Sequence, residues 1–129
     1  MSNCTVNQAA LIDDFRSFLK VFSALGDENR QLIFLTLMAG GQEGMRVPDI
    51  TARVHLSRPA VSRHLKIMKE AGLINCHREG TRNYYYVDAN ESCWHQLREF
   101  VDQIDDMAAQ AAASGYPYFS RAEDDLPTD

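Results

Sequence analysis

Cysteine is scarce in this chain, and the features that accompany export or membrane insertion are missing. The 129 residues include three cysteines, Cys4, Cys76 and Cys93, an odd number without framework spacing, so we expect no structural disulfides. No apolar run is long enough to span a bilayer, and the first twenty residues carry no basic-then-apolar export signal. These absences predict a cytoplasmic protein without a membrane partner.

The sequence also lacks the common catalytic motifs. It contains no G-x-S-x-G nucleophile elbow, no phosphate-binding P-loop and no H-E-x-x-H metal motif. The four histidines, at positions 55, 64, 77 and 95, do not share a short motif with a carboxylate and a nucleophile. A chain of this length forms one compact domain and leaves little room for a substrate cleft. We therefore expect a protein that is not an enzyme.

Positive charge is in deficit overall but is concentrated in one segment. The net charge is −5, with 13 Lys or Arg against 18 Asp or Glu. Between Arg46 and Arg82, however, eight basic residues face three acidic ones, an excess of five positive charges, whereas the remainder carries −10. A basic face on an acidic body attracts phosphate locally and discourages indiscriminate binding. This distribution is compatible with a protein that binds nucleic acid.

Apolar periodicity predicts a mainly α fold with a small β-hairpin, in the order α-α-α-α-β-β-α. The predicted helices cover 8–25, 27–38, 47–54, 57–71 and 91–113, and the strands cover 73–77 and 84–87. Asp27 and Ser57 are favourable helix caps. The second helix is apolar on nearly every side and is expected to be the central buried helix. Residues 1–113 should form a single domain, followed by a loose acidic tail over 114–129.

The order helix, tight turn, helix, hairpin is that of a winged helix-turn-helix, whose second helix enters the major groove of DNA. Val61, Leu65 and Met68 share the face of that helix that should pack inward. Arg side chains can contact guanine, Lys side chains can neutralise phosphate, and basic residues at the hairpin tip can reach the minor groove or the backbone. The predicted DNA-binding residues are Ser57, Arg58, Pro59, Ala60, Ser62, Arg63, His64, Lys66, Arg78, Thr81 and Arg82.

Several motifs in this region resemble those of the ArsR/SmtB-type repressors. The matching segments, which occur in the same order as in the family, are LGDENR at 25–30, SRPAVSRHLK at 57–66, EAGLI at 70–74, REG at 78–80 and YY at 84–85. The resemblance extends from about Phe15 to Ile104. It implies a winged-helix homodimer that represses transcription at an operator near its own promoter and is released by a signal.

The resemblance further implies a dimer joined by the first and last helices. Both helices carry apolar stripes, and the last one has the three- and four-residue spacing of a heptad seam. The predicted dimer-interface residues are Leu11, Phe15, Phe18, Phe22, Trp94, Leu97, Val101, Ile104 and Ala108. Two-fold symmetry would place two recognition helices about one DNA turn apart on a pseudo-palindromic operator of double-stranded DNA.

The two metal sites of the family are not reproduced in this sequence. Arg46 and Pro48 stand where the thiolate motif E-L-C-V-C-D-L has its cysteines, so that site is absent. On the last helix, Cys93, His95 and Asp106 match three ligands of a second family site, but the fourth position is an alanine. Asp102, Asp105 or a partner subunit would have to complete it, and we expect no zinc there. No cofactor is predicted with certainty.

Two further classes of signal stay open. Cys76 lies on a predicted strand, and Cys93 falls in the first turn of the last helix, where the helix dipole would lower the pKa of a thiol. The favoured interpretation is nevertheless that both are small, partly buried residues without redox activity. A small organic effector is equally open. The inducer therefore stays unknown.

One different class of function competes with DNA binding. Winged-helix modules also mediate protein–protein interactions without specific DNA binding, and such modules often lose the outward basic residues of the recognition helix. Arg58, Arg63 and Lys66 are retained in this sequence. Their retention favours DNA as the partner.

Overall fold

The computed structural model describes residues 8–88 and 93–114. In this part of the chain the elements are α1 (Gln8–Ser17), α2 (Leu19–Leu25), α3 (Glu28–Ala39), α4 (Val47–Thr51), α5 (Arg58–Glu70), β1 (Asn75–Glu79), β2 (Arg82–Tyr86) and α6 (Trp94–Ala113). The mainly helical winged helix-turn-helix with a two-stranded hairpin is confirmed. The predicted tail lies, apart from Ser114, outside the described residues, as do Cys4 and the predicted start of the last helix.

The predicted first helix is interrupted at Phe18, which adds one helix to the predicted order. The main-chain N–H of Phe18 is shared between the carbonyl oxygens of Asp14, at 3.2 Å, and Phe15, at 3.1 Å. The side chain of Phe18 is buried, and its ring centroid lies 5.3 Å from that of Phe100 on α6. Aromatic packing between helices therefore compensates for the irregular turn, an interaction that periodicity within one helix does not reveal.

The core lies where α3 and α4 pack against α5. Val61, Leu65 and Met68 of α5 and Ile33 of α3 are fully inaccessible to solvent, as is Ile50 of α4. Each such side chain contributes roughly 1.5–3 kcal/mol relative to an exposed one. The helix-turn-helix pair is therefore fixed in place by its own apolar contacts.

The expectation that α3 is the central buried helix was wrong for one of its apolar faces. Ile33 and Leu37 are buried, but Leu32, Leu35 and Met38 are 40%, 56% and 53% exposed. Residue type alone shows that a helix has apolar faces and does not show which of them meets a neighbour. Within the described residues, the other elements leave the face of α3 with Leu32, Leu35 and Met38 exposed.

Both strands of the hairpin are displaced toward its tip, and its turn is tighter than predicted. The ladder continues out to the pair Glu79–Arg82, so that the connection is the dipeptide Gly80–Thr81 rather than residues 78–83. Gly80 has φ +62°, a conformation that glycine adopts without the strain that a β-carbon would add. The tight turn brings the basic residues of both strands to the same tip.

The base of the hairpin is bonded to the loop between α3 and α4. Met45 and Tyr85 exchange both main-chain hydrogen bonds, at 2.9 and 2.8 Å, which caps the outer edge of β2. The preceding residue, Gly44, has φ +84°, and a β-carbon there would lie 3.1 Å from the Cβ of Tyr84 and 3.1 Å from the carbonyl oxygen of Tyr85. Close packing at Gly44 therefore helps to fix the position of the hairpin.

The last helix begins beside the end of α5 and then extends past the core. The main-chain N–H of Cys93 donates to the carbonyl oxygen of Gly72 at 2.9 Å, and the indole Nε1–H of Trp94 donates to that of Leu73, also at 2.9 Å. Phe100 is buried, whereas residues 101–114 are exposed, apart from the partly buried Ala111. Among the described residues, no helix combines the length and the apolar character needed to cross a membrane.

Candidate nucleic-acid interface

The residues Ser57 and Pro59 explain why α5 begins where it does. The Oγ of Ser57 accepts a hydrogen bond from the main-chain N–H of Ala60 at 3.3 Å, which satisfies one of the donors left open at a helix N-terminus. Pro59 stands in the first turn, where its missing N–H removes no helical hydrogen bond. The predicted cap is confirmed, and it fixes which side chains point away from the core.

The predicted DNA-binding residues of α5 lie opposite its buried face. Val61, Leu65 and Met68 point inward at successive turns. The exposed members of the predicted set are Ser57, Arg58, Pro59, Ser62, Arg63 and Lys66, and the half-buried members are Ala60 and His64. The fold therefore brings the polar and basic side chains of α5 to one solvent-facing surface.

The three predicted residues of the hairpin lie at its tip. Arg78, Thr81 and Arg82 are all exposed. The Nε–H of Arg78 donates to the carbonyl oxygen of Gly80 at 2.8 Å, so its guanidinium is partly occupied by its own turn. Arg82 pairs across the ladder with Glu79, which places an acidic group beside it. The tip can present positive charge, with Arg82 less constrained than Arg78.

Sequence reasoning missed Arg30, which joins three helices at the edge of this surface. Its Nε–H donates to the carbonyl oxygen of Ala24 at 2.7 Å and its Nη2 to that of Ser23 at 3.2 Å. Its Nη1 lies 3.5 Å from Nδ1 of His64 on α5. The main-chain N–H of Arg30 donates to Asp27 and lowers the pKa of that carboxyl below its ordinary value. The segment LGDENR contains both residues, but nothing in it shows that Arg30 reaches α5.

The structure divides the predicted dimer-interface residues into two groups. Leu11 and Phe18 are buried in the chain's own core, and Phe22, Trp94 and Leu97 are packed against it. The members that the chain leaves exposed are Phe15, Val101, Ile104 and Ala108. Ile12, Leu19 and Met107, which were not in the predicted set, are exposed as well. We call the surface made by Ile12, Phe15, Val101, Ile104 and Met107 the α1–α6 stripe.

The predicted low pKa of the Cys93 thiol was wrong. Cys93 precedes the first helical residue of α6, and burial raises the pKa of its thiol above the ordinary value. Cys76 stands on β1 opposite Tyr85. Burial, with a smaller contribution from Cys76, raises the pKa of the Tyr85 hydroxyl. Within residues 8–88 and 93–114, no three His, Cys, Asp or Glu side chains form a group that could hold a metal ion.

Known proteins resemble this chain both in the sequence of the helix-turn-helix segment and in the overall fold. The model of the family described as bacterial regulatory protein, arsR family, matches residues 27–75. The transcriptional repressor SdpR of Bacillus subtilis is 42% identical over 65 residues, which are 50% of this chain and 69% of SdpR. The residues that the family model matches include α3, α4 and α5.

Two solved structures share the architecture. An ArsR-like transcriptional regulator from Rhodococcus sp. RHA1 superposes with a TM-score of 0.68 at 22% identity, covering 80% of this chain and 90% of that one. A homodimeric winged helix-turn-helix DNA-binding domain from Mycobacterium bovis, a possible ArsR-family regulator, superposes with a TM-score of 0.53 at 25% identity, covering 90% and 96%. This chain belongs to the ArsR family of bacterial regulatory proteins and is a winged helix-turn-helix transcriptional regulator rather than an enzyme.

Proposed function

We propose that this chain acts in the cytoplasm as a homodimeric repressor, which binds a pseudo-palindromic operator in double-stranded DNA and leaves it when a signal arrives. One observation carries the proposal: α5 buries Val61, Leu65 and Met68 and exposes Ser62, Arg63 and Lys66 on its opposite side. The name of the similar SdpR, a transcriptional repressor, supports repression as the direction of control.

The exposed side chains of α5 suit different parts of a DNA groove. The guanidinium of Arg63 can donate two parallel hydrogen bonds to O6 and N7 of guanine, which discriminates among bases. The ammonium of Lys66 is a point charge that suits phosphate, and the hydroxyl of Ser62 can donate or accept. Thr81 and Arg82 at the hairpin tip would contact the adjacent backbone or minor groove. The recognition surface would therefore combine base contacts with phosphate contacts.

The α1–α6 stripe supports the homodimer. Phe15, Val101 and Ile104 are 47%, 54% and 36% exposed. The exposed Ile12 and Met107 stand three residues from Phe15 and Ile104, a spacing that places each pair on one face of its helix. A chain without a partner seldom exposes so many large apolar side chains together. Pairing of two such stripes by a two-fold axis would bring two copies of α5 to one side of the dimer. The homodimeric domain from Mycobacterium bovis supports this arrangement.

A signal at the dimer helices has a direct route to α5. The start of α6 is hydrogen-bonded through Cys93 and Trp94 to Gly72 and Leu73, which follow the end of α5. A change in the pairing of α6 would therefore act on the segment that terminates the recognition helix. Thiol oxidation, a small molecule and a metal ion are the three classes of signal proposed.

The test is fluorescence anisotropy of a labelled duplex from immediately upstream of the gene, against a scrambled duplex of equal length. Fully reduced protein in near-physiological salt should prefer the upstream duplex. A preference that decays on adding diamide would assign the signal to the cysteines, whereas one that persists would direct the search to metals and small molecules. Absence of any preference, even at low salt, would overturn specific DNA binding at this site and favour a protein-binding module.

The Arg63→Ala variant tests the placement of the recognition surface in the same assay. Loss of a base contact should weaken binding to the upstream duplex by about 1–3 kcal/mol and leave the scrambled duplex nearly unaffected. Arg98→Ala is the matched control, since Arg98 is exposed on α6 and lies outside the basic segment. Equal weakening for both duplexes, with a salt slope smaller by about one, would assign Arg63 to phosphate. Unchanged affinity would contradict the recognition helix itself.

A further inference from the structure

We propose that Arg30 is a positioning residue for DNA recognition, which acts through the imidazole of His64. This role rests on the proposed function, because it presupposes that α5 is the recognition helix. Arg30 stands on α3, outside the set of residues expected to touch DNA, and its side chain is only 15% exposed.

The guanidinium of Arg30 is fixed before it meets α5. Two of its nitrogens donate to consecutive carbonyl oxygens at the end of α2, those of Ser23 at 3.2 Å and Ala24 at 2.7 Å. The carboxylate of Asp27 lies 3.9 Å from Nη1 and partly balances the positive charge of the guanidinium. A planar group with two hydrogen bonds to main-chain atoms has one orientation, so Nη1 has a defined position.

That position selects one tautomer of the neutral His64 ring. Nη1 of Arg30 lies 3.5 Å from Nδ1 of His64, and an arginine side chain can only donate hydrogen bonds. Nδ1 therefore acts as the acceptor, and the proton of the neutral ring is on Nε2. His64, which is half-buried beside the exposed residue Arg63, thus becomes a donor through Nε2. Such a donor suits a phosphate oxygen or a purine acceptor on DNA.

A lysine would not reproduce this arrangement. The five N–H donors of arginine are spread over three nitrogens, which lets one side chain contact two carbonyl oxygens and an imidazole at once. Lysine carries its donors on a single nitrogen and would lose at least one of these contacts while keeping the charge. The variant Arg30→Lys therefore separates the geometry of Arg30 from its charge.

The next residue, Gln31, provides a matched control for the possibility that Arg30 has only a structural role. The amide Nε2 of Gln31 donates to the carbonyl oxygen of Leu25 at 2.6 Å, so Gln31 also closes the end of α2 from α3. Within the described residues, no hydrogen bond joins Gln31 to His64. If Arg30 served only to close α2, Gln31→Ala and Arg30→Lys would have the same kind of effect on DNA binding.

The experiment is a double-mutant cycle on the full chain. Anisotropy gives the ratio of affinities for the upstream and the scrambled duplex in the wild type, Arg30→Lys, His64→Leu and the double variant. We expect Arg30→Lys to lower this ratio on the order of fivefold and to lower it no further when His64 is already leucine. Gln31→Ala should lower the melting temperature and leave the ratio unchanged.

Three results would overturn the role of Arg30 and leave the proposed function intact. They are a ratio unaffected by Arg30→Lys, independent effects of the two substitutions in the double variant, and an equal loss of the ratio in Gln31→Ala. Long-range ¹⁵N–¹H NMR of the wild type provides a further readout that does not depend on whether Arg30→Lys folds. A neutral His64 ring with its proton on Nδ1 would also overturn the role of Arg30. A wild type that prefers neither duplex would instead overturn the proposed function, and the positioning role with it.

Discussion

At the scale of single residues, Asp27 and Ser57 perform the same task with different chemistry. Each lies immediately before a helix, and each accepts a hydrogen bond from the main-chain N–H three residues later, at 3.0 Å from Arg30 and 3.3 Å from Ala60. Asp27 is a carboxylate and titrates, whereas the hydroxyl of Ser57 does not. The two caps therefore respond differently to acid.

We predict that Asp27→Ala lowers the melting temperature at pH 7 and that the difference from the wild type narrows below about pH 4. The hydrogen bond from Arg30 lowers the pKa of Asp27 in the folded chain. Its stabilisation is then fully present above the pKa of the unfolded carboxyl, about 3.9, and is lost as pH falls through the lower, folded value. Thermal melts across this pH range measure the effect.

Ser57→Ala is the control for that series. Loss of its cap should cost about 1 kcal/mol, and the cost should not depend on the protonation of residue 57. A deficit of Asp27→Ala that stays constant from neutral to acid pH would contradict a role for the ionised carboxylate.

Cys93 should react slowly with alkylating reagents in the folded chain. Burial raises the pKa of its thiol, so less of the nucleophilic thiolate is present at neutral pH. Iodoacetamide labelling followed by mass spectrometry should show slower modification in native buffer than in urea, with a rate that rises with pH. Faster labelling in the folded chain would restore the activation by the helix dipole that the sequence suggested.

At the scale of elements, the boundaries that depend on nearby residues were predictable. The start of α5 follows from Ser57 and Pro59, and its two faces follow from the spacing of Val61 and Leu65. The interruption at Phe18 and the exposed side of α3 were not predictable, because both depend on where another helix packs. The sequence shows that a side chain is apolar and leaves open whether a neighbour covers it.

The stability of α5 should depend on its inner face. Leu65→Ala should lower the free energy of unfolding by about 2–5 kcal/mol, since Leu65 has no exposed surface and its truncation would leave a cavity. Ile67→Ala, two residues further along and 36% exposed, should cost much less. Urea unfolding at one fixed protein concentration measures both variants. Equal losses would contradict the packing of α5 on α3.

The residues of the candidate site were predictable from the sequence, but the contacts that hold them in position were not. The basic and hydroxyl side chains of α5 and the hairpin tip could be read from the sequence, because local periodicity places them on one face. The contact between Arg30 and His64 spans 34 positions in the chain, and no local pattern encodes it. The pairing of Met45 with Tyr85 was missed for the same reason.

At the scale of the whole molecule, the α1–α6 stripe should determine the state of assembly. We predict that Ile104→Glu weakens self-association by at least about tenfold, because pairing of the stripes would bury an unpaired carboxylate. Sedimentation velocity over a range of protein concentrations measures the shift. DNA binding should fall along with it, since a monomer would occupy only one half-site.

Arg98→Glu is the control for charge at this surface. Arg98 is exposed on the same helix but does not belong to the α1–α6 stripe, so this substitution should leave self-association close to the wild type. Wild-type protein that sediments as a monomer at every concentration, or Ile104→Glu protein that dimerises normally, would contradict the stripe as the dimer interface.

The close packing at Gly44 has a genetic consequence. Any side chain there would meet Tyr84 and displace the hairpin while leaving Arg78 and Arg82 chemically intact. In a selection for derepressed alleles, substitutions of Gly44 should therefore be recovered together with those of the hairpin tip and share their phenotype. The close contacts are with the Cβ of Tyr84 and the main chain of Tyr84 and Tyr85, and φ +84° strains any other residue at position 44. Shortening the Tyr84 side chain should therefore not suppress such alleles, whereas reversion to glycine should.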